Sequence, residues 1–92
     1  MSYYLKDPQS RVDYAIDWAP YLEGRTIAGS VWSVDPNEAG GIAIDGASFT
    51  ATRTAATLTG GRVGHVYGIA NHVTLSDGRR EDRSIVLRVE QR

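Results

Sequence analysis

The sequence predicts an all-β fold, a sandwich of about seven short antiparallel strands preceded by an extended N-terminal arm. Three observations carry that prediction. Apolar residues recur with a period of two rather than 3.6. Turn signals built from Gly-Gly, Asp-Gly and Asp-Pro steps separate the alternating stretches. No stretch carries a helical stripe long enough to be a substantial helix.

Residues 1–11 lie outside the alternating pattern, and Asp7-Pro8 biases the chain away from helix, so they are expected as an extended arm. Residues 12–92 are expected to form the sandwich domain. Val12, Tyr14, Ile16 and Trp18 alternate with Asp13, Ala15 and Asp17, the pattern of a half-buried strand. Ala19 to Gly24 reads as a turn or one short helical turn, opened by Pro20 and closed by Gly24. Thr26 to Val34 is a second strand, with Ile27, Val31 and Ser33 on one face and Ala28, Trp32 and Val34 on the other. Asp35-Pro36-Asn37 and Gly40-Gly41 mark a loop.

Ile42 and Ile44 make a short third strand that Gly46 breaks. Phe49 to Thr54 alternates again, its threonines suited to an exposed pleated face, and Ala55 to Thr59 contributes Leu58. Gly60-Gly61 and Gly64 bracket a loop around Arg62 and Val63. The cleanest strand follows, with Tyr67, Ile69, Asn71, Val73 and Leu75 on one face and Gly68, Ala70, His72 and Thr74 on the other. Ser76-Asp77-Gly78-Arg79 is a hairpin signal, because Asp-Gly accepts the positive φ of such turns. A last strand runs from about Glu81 to Glu90, with Ile85, Leu87 and Val89 facing in. This spacing of strands fits a sandwich of the immunoglobulin or fibronectin III type.

Composition narrows the function. A chain of 92 residues is one domain with a thin margin of stability, of a size that gains from a partner or from further copies of itself. It has no cysteine, which excludes disulfides and thiolate metal sites. No apolar run reaches the ~20 residues of a membrane span, and the N-terminus lacks a signal-peptide core, so a soluble chain made in a cytoplasm is expected. Ten basic residues against eleven acidic ones leave no basic stripe for nucleic acid. Lys6 is the only lysine beside nine arginines, a balance that also suits protein contacts.

Residue constellations for chemistry fail on spacing. Asp13 and Asp17 share a strand face but sit about 13 Å apart at ~3.3 Å per residue, beyond the roughly 5–9.5 Å of paired glycosidase carboxylates. His65 and His72, an odd number of residues apart, fall on opposite faces of any strand that carries both. No Gly-x-Ser-x-Gly elbow is present. Asp77, Glu81 and Asp82 lack calcium-loop spacing and are interleaved with Arg79, Arg80 and Arg83, so SDGRREDRS reads as a charged hairpin and a guarded edge. The glycines of LTGGRVG precede a strand rather than a helix and are turn glycines, not a phosphate cradle. Trp18 and Trp32 read as core anchors, one per sheet. No enzyme, cofactor or metal is expected, and the surface points to contacts with other proteins.

The opening KDPQSRVDYAIDWAPYL, the block TIAGSVWSV and the run AATLTGGRVGHVYGIANHVTLSDGRREDRSIVLRV resemble small virion proteins of tailed bacteriophages, similar to phage fiber-tail adaptor proteins. The resemblance covers nearly the whole chain. It implies an Ig-like sandwich without catalysis, located in the virion and homo-oligomeric there, in contact with neck, tail, fibre or major capsid proteins and with neither nucleic acid nor membrane. The matching opening makes Lys6, Asp7, Tyr14, Asp17 and Trp18 the expected contact residues. Tyr3 and Tyr4 join them from the aromatic arm, which is expected to lie along a neighbour, and Arg79 and Arg80 from the charged hairpin. Two other readings stand beside the adaptor: a capsid decoration (cement) protein, and a carbohydrate or cell-surface binding module that stacks sugars on Tyr3, Tyr4 and Tyr21.

Overall fold

The alternation Tyr67, Ile69, Asn71, Val73, Leu75 is realised in full: all five side chains are buried. Such a strand buries one face only against a second sheet, and the chain supplies one. A computed structural model describes residues 2–91, with side chains from Tyr4 onward. Its elements are β1 (Ser2–Lys6), β2 (Val12–Asp17), α1 (Ala19–Leu22), β3 (Ile27–Asp35), β4 (Ile42–Phe49), β5 (Arg53–Gly60), β6 (Val66–Leu75) and β7 (Arg80–Val89). One sheet has the order β1-β7-β6-β3 and the other β2-β5-β4. All pairings are antiparallel except β1 with β7, which is parallel. The all-β sandwich expected from the sequence is the fold of the chain.

The inner faces meet in two adjoining clusters. Leu58, Tyr67, Ile69, Ile85, Leu87 and Val89 centre the first. Ile16, Trp18, Leu22, Ile27, Val73 and Leu75 form the second. Tyr14 and Trp32 pack against both and join them. Leu22 reaches the core because α1 is a single turn opened by Pro20 and ended by Glu23 in the left-handed region (φ 51°). The Asp77-Gly78 hairpin forms as expected, with Gly78 at φ 90° and the Asp77 carboxylate accepting the Arg79 amide at 2.9 Å.

Four expectations are corrected. Residues 2–6 are extended, but they form a strand of the sandwich rather than an arm outside it: β1 runs beside β7 in the register Ser2 to Ile85 through Lys6 to Val89. Strand β3 carries a bulge between Ile27 and Gly29, so Ile27 and Val31 face opposite sides, and Ser30, Trp32 and Val34 turn inward while Val31 is exposed. Gly46 does not end a strand. It sits at φ 113° in a register shift between Ile44 and Ala47, and β4 continues to Phe49. Phe49 to Thr54 is not one strand, because residues 50–52 turn and β5 starts at Arg53.

Candidate interaction site

Strands β1 and β2 end their respective sheets on the same side of the sandwich, and the gap between them is not fully closed. An apolar cleft of about 230 Å³ lies there, lined by Tyr4, Leu5, Val12, Tyr14, Leu58 and Leu87 among others. Tyr4 is 47% exposed and its ring lies 6.2 Å from Tyr14. Tyr14 in turn meets Trp32 edge-on at 5.8 Å. Burial, and then the neighbouring Tyr4, push the Tyr14 hydroxyl above its ordinary value, with Arg83 opposing them, so it stays a neutral phenol at physiological pH. Further along the same side, the Arg83 guanidinium sits 5.8 Å over the Tyr21 ring, and Tyr21 is 53% exposed. Tyr21 stands edge-on to buried Trp18 at 6.2 Å. The result is a strip of Tyr4, Tyr14, Arg83 and Tyr21. Tyrosine and arginine are the residue types enriched where protein partners bind.

The expected contact residues divide. Tyr4 and Tyr14 belong to the strip. Lys6 lies below it, 1% exposed, and donates from Nζ to three backbone carbonyls: Asp7 at 2.9 Å, Ser10 at 2.7 Å and Gly60 at 2.7 Å. Burial pulls its ammonium below its ordinary pKa, with the Asp7 carboxylate opposing. Lys6 closes the end of the sandwich and is not displayed to a partner. Trp18 is also buried, its Nε1 donating to Thr54 Oγ1 at 3.0 Å. The carboxylates of Asp7 and Asp17 accept the amides of Gln9 and Ala19 and so shape local turns. Arg79 and Arg80 stand at the β6–β7 hairpin, away from the cleft lining. The Tyr3 backbone pairs with Val86, and its side chain lies outside the described residues.

Sequence reasoning missed Arg83 as a member of the site. It shares parity with Ile85, Leu87 and Val89 and pairs with buried Asn71, so alternation alone places it on the inner face. Its guanidinium instead extends over the ring of Tyr21, which follows β2 in the chain.

One cluster has the order of a hydrolase relay. Ser33 Oγ lies 3.3 Å from His72 Nε2, and His72 Nδ1 lies 2.6 Å from Asp82. The three residues form a row across β3, β6 and β7 on the outer face of their sheet, with His72 47% and Asp82 68% exposed. Water screens such a pair, whereas catalytic relays rely on a buried carboxylate and a desolvated pocket. Among the described residues, no group of three or more His, Cys, Asp and Glu is placed to hold a metal ion.

Fold and surface together define a small β-sandwich whose distinctive surface feature is an aromatic and arginine strip along one open side. The family described as Podophage GP4 fiber-tail adaptor protein gp77 matches residues 6–88, and the chain belongs to that family. No curated protein matches it.

Proposed function

We propose that this chain is a non-enzymatic structural adaptor of a bacteriophage particle, seated where fibres join the tail and acting only through protein–protein contacts. The family match over residues 6–88 carries this reading, because it spans the sandwich from Lys6 to Arg88. The Tyr4, Tyr14, Arg83 and Tyr21 strip is the surface through which contacts are made. The partners are tail and fibre proteins and further copies of the chain itself, arranged in a ring as closed assemblies require.

The copy number in purified particles, measured by quantitative mass spectrometry against the major shell protein, tests this. A small ring-like number supports the adaptor. A number comparable to the shell protein replaces it with a capsid decoration role, and absence from the particle overturns both.

A further inference from the structure

Strand β1 and the turn after it form one self-bonded piece. Within residues 6–10, the Ser10 amide and hydroxyl both donate to the Asp7 carbonyl, at 3.1 and 2.8 Å. Gln9 N donates to Asp7 Oδ1 at 2.7 Å, and two of the three Lys6 ammonium bonds go to Asp7 and Ser10 of this same turn. Its attachments to the body include the parallel register against Ile85–Val89, the Glu90 amide donating to the Lys6 carbonyl at 2.9 Å, the Lys6 bond to Gly60, and the Tyr4–Tyr14 ring contact. Arg11 alone connects Ser10 to β2, and β2 belongs to the other sheet. None of these attachments requires β1 and β7 to come from one chain.

We propose that β1 exchanges between copies of this protein. The segment Ser2–Ser10 of one copy docks on β7 of a second copy in the same parallel register, with its Lys6 ammonium on the second copy's Gly60 carbonyl. The turn travels intact, so the ammonium keeps two of its three acceptors throughout. The exchanged state reproduces the hydrogen bonds of the closed one. Its cost is the opening at Arg11 and the entropy of association. Its gain lies on the unfinished side, where Tyr4 and Leu5 are about half exposed (47% and 51%) beside the apolar cleft. A connector of one residue, Arg11, holds the two copies close together at the Lys6 end of β1, beside that side. The exchange is a property of the isolated chain and does not depend on its place in a particle.

The chain contains no cysteine, which allows a direct test. Leu5 and Arg88 are register partners on adjacent strands, a spacing of about 4.8 Å that lies within disulfide reach. Leu5→Cys with Arg88→Cys in one chain is expected to give a linked monomer, which checks the register. Separate Leu5→Cys and Arg88→Cys proteins, refolded together at high concentration and then oxidised, are expected to give a linked heterodimer. Leu5→Cys refolded with Val31→Cys, a position on the far edge strand, is expected to stay unlinked. A linked monomer from the double variant with no linked dimer from the mixture overturns the proposal, and so does equal linking to Val31→Cys. The unsubstituted chain gives an independent reading. Refolded at high concentration and then diluted, it is expected to hold a dimer that decays slowly, and a chain that is monomeric at every concentration overturns the proposal whatever the variants do.

Discussion

Thr54 Oγ1 donates to Asn71 Oδ1 at 2.7 Å across the interior, joining one sheet to the other through two side chains that water does not reach. Trp18 Nε1 donates to both oxygens, at 3.0 and 3.3 Å. The Asn71 amide donates onward to Ser30 Oγ at 2.9 Å and to the Val31 carbonyl at 3.2 Å. Apolar packing tolerates small slips of one sheet over the other. A satisfied polar network at the centre does not, because each slip leaves a buried group unpaired.

Asn71→Leu keeps the volume and removes the four bonds made by Asn71, leaving the Thr54 hydroxyl without its acceptor and the Trp18 N–H with Thr54 Oγ1 alone. The expected loss is about 2–4 kcal/mol of unfolding free energy, measured by urea denaturation. Thr54→Val, which leaves Trp18 bonded to Asn71, is expected to cost less, about 1–2 kcal/mol.

The two tryptophans should respond differently to removal of the ring nitrogen. Trp18 Nε1 has two acceptors, whereas Trp32 Nε1 is buried without a hydrogen-bond partner. Trp18→Phe is expected to destabilise by about 1 kcal/mol more than Trp32→Phe, since the latter removes a donor whose desolvation nothing offsets. Equal losses in paired thermal melts would contradict the assignment.

Acid stability should involve Glu38. Its carboxylate accepts from the Tyr67 hydroxyl at 2.9 Å and lies 2.7 Å from His65 Nδ1. The Tyr67 hydrogen bond first, and His65 after it, hold the carboxyl below its ordinary value. The unfolded chain therefore binds the proton more tightly, so the stability Glu38 lends is present above the usual carboxylate range and is lost as pH falls through the lowered value. The urea midpoint of Glu38→Gln is expected to lie furthest below that of the parent above about pH 5, with the gap closing towards pH ~3. A gap that does not change with pH would rule this out.

Gly61 is required where it stands. Its φ is 109°, and an added Cβ would lie 2.5 Å from Val89 Cγ2. Val89 is fully buried and its amide is tied to the His65 carbonyl at 3.0 Å, so it has little room to retreat. Gly61→Ala combines backbone strain with overpacking and is expected to cost about 2–4 kcal/mol by chemical denaturation.

The strip should separate folding from assembly. Tyr21→Ala with Arg83→Ala removes two exposed partners of one another, and the expected change in stability is within about 1 kcal/mol. Incorporation into particles, followed by mass spectrometry after complementation, is expected to fall at least about tenfold, the size of effect that follows the loss of a tyrosine or arginine contact hot spot. Wild-type incorporation would move the interface elsewhere.

The strands of the domain body were legible because burial imposes a period of two. From Tyr67 to Leu75 and from Ile85 to Val89, the faces assigned by alternation are those buried in the fold. Alternation loses the count wherever a residue is inserted into one strand only. The bulge at Ile27–Gly29 therefore put Ile27 on the wrong face relative to the rest of β3, and the shift at Ile44–Ala47 made Gly46 look like a strand end. Strand β1 was illegible for another reason: Ser2–Lys6 is a short run whose inward positions include a lysine. No sequence pattern announces that three carbonyls, one of them from residue 60, will receive that ammonium. The strip proposed for contacts was half legible. Its tyrosines stand out by type, but grouping Tyr21 with Arg83 needs the tertiary fold, because the two lie 62 residues apart and alternation places Arg83 on the inner face.

The parallel pairing of β1 with β7 also decides how the domain responds to a mechanical pull. Tension applied between residue 2 and residue 90 draws the two neighbouring strands in opposite directions along their length. Their backbone hydrogen bonds are then loaded in shear and must fail together, not one after another as in an antiparallel hairpin peeled from its open end. The Lys6 bonds to Ser10 and Gly60 lie at the end of that shear zone. A domain threaded this way resists being drawn out along its axis more strongly than its modest size implies.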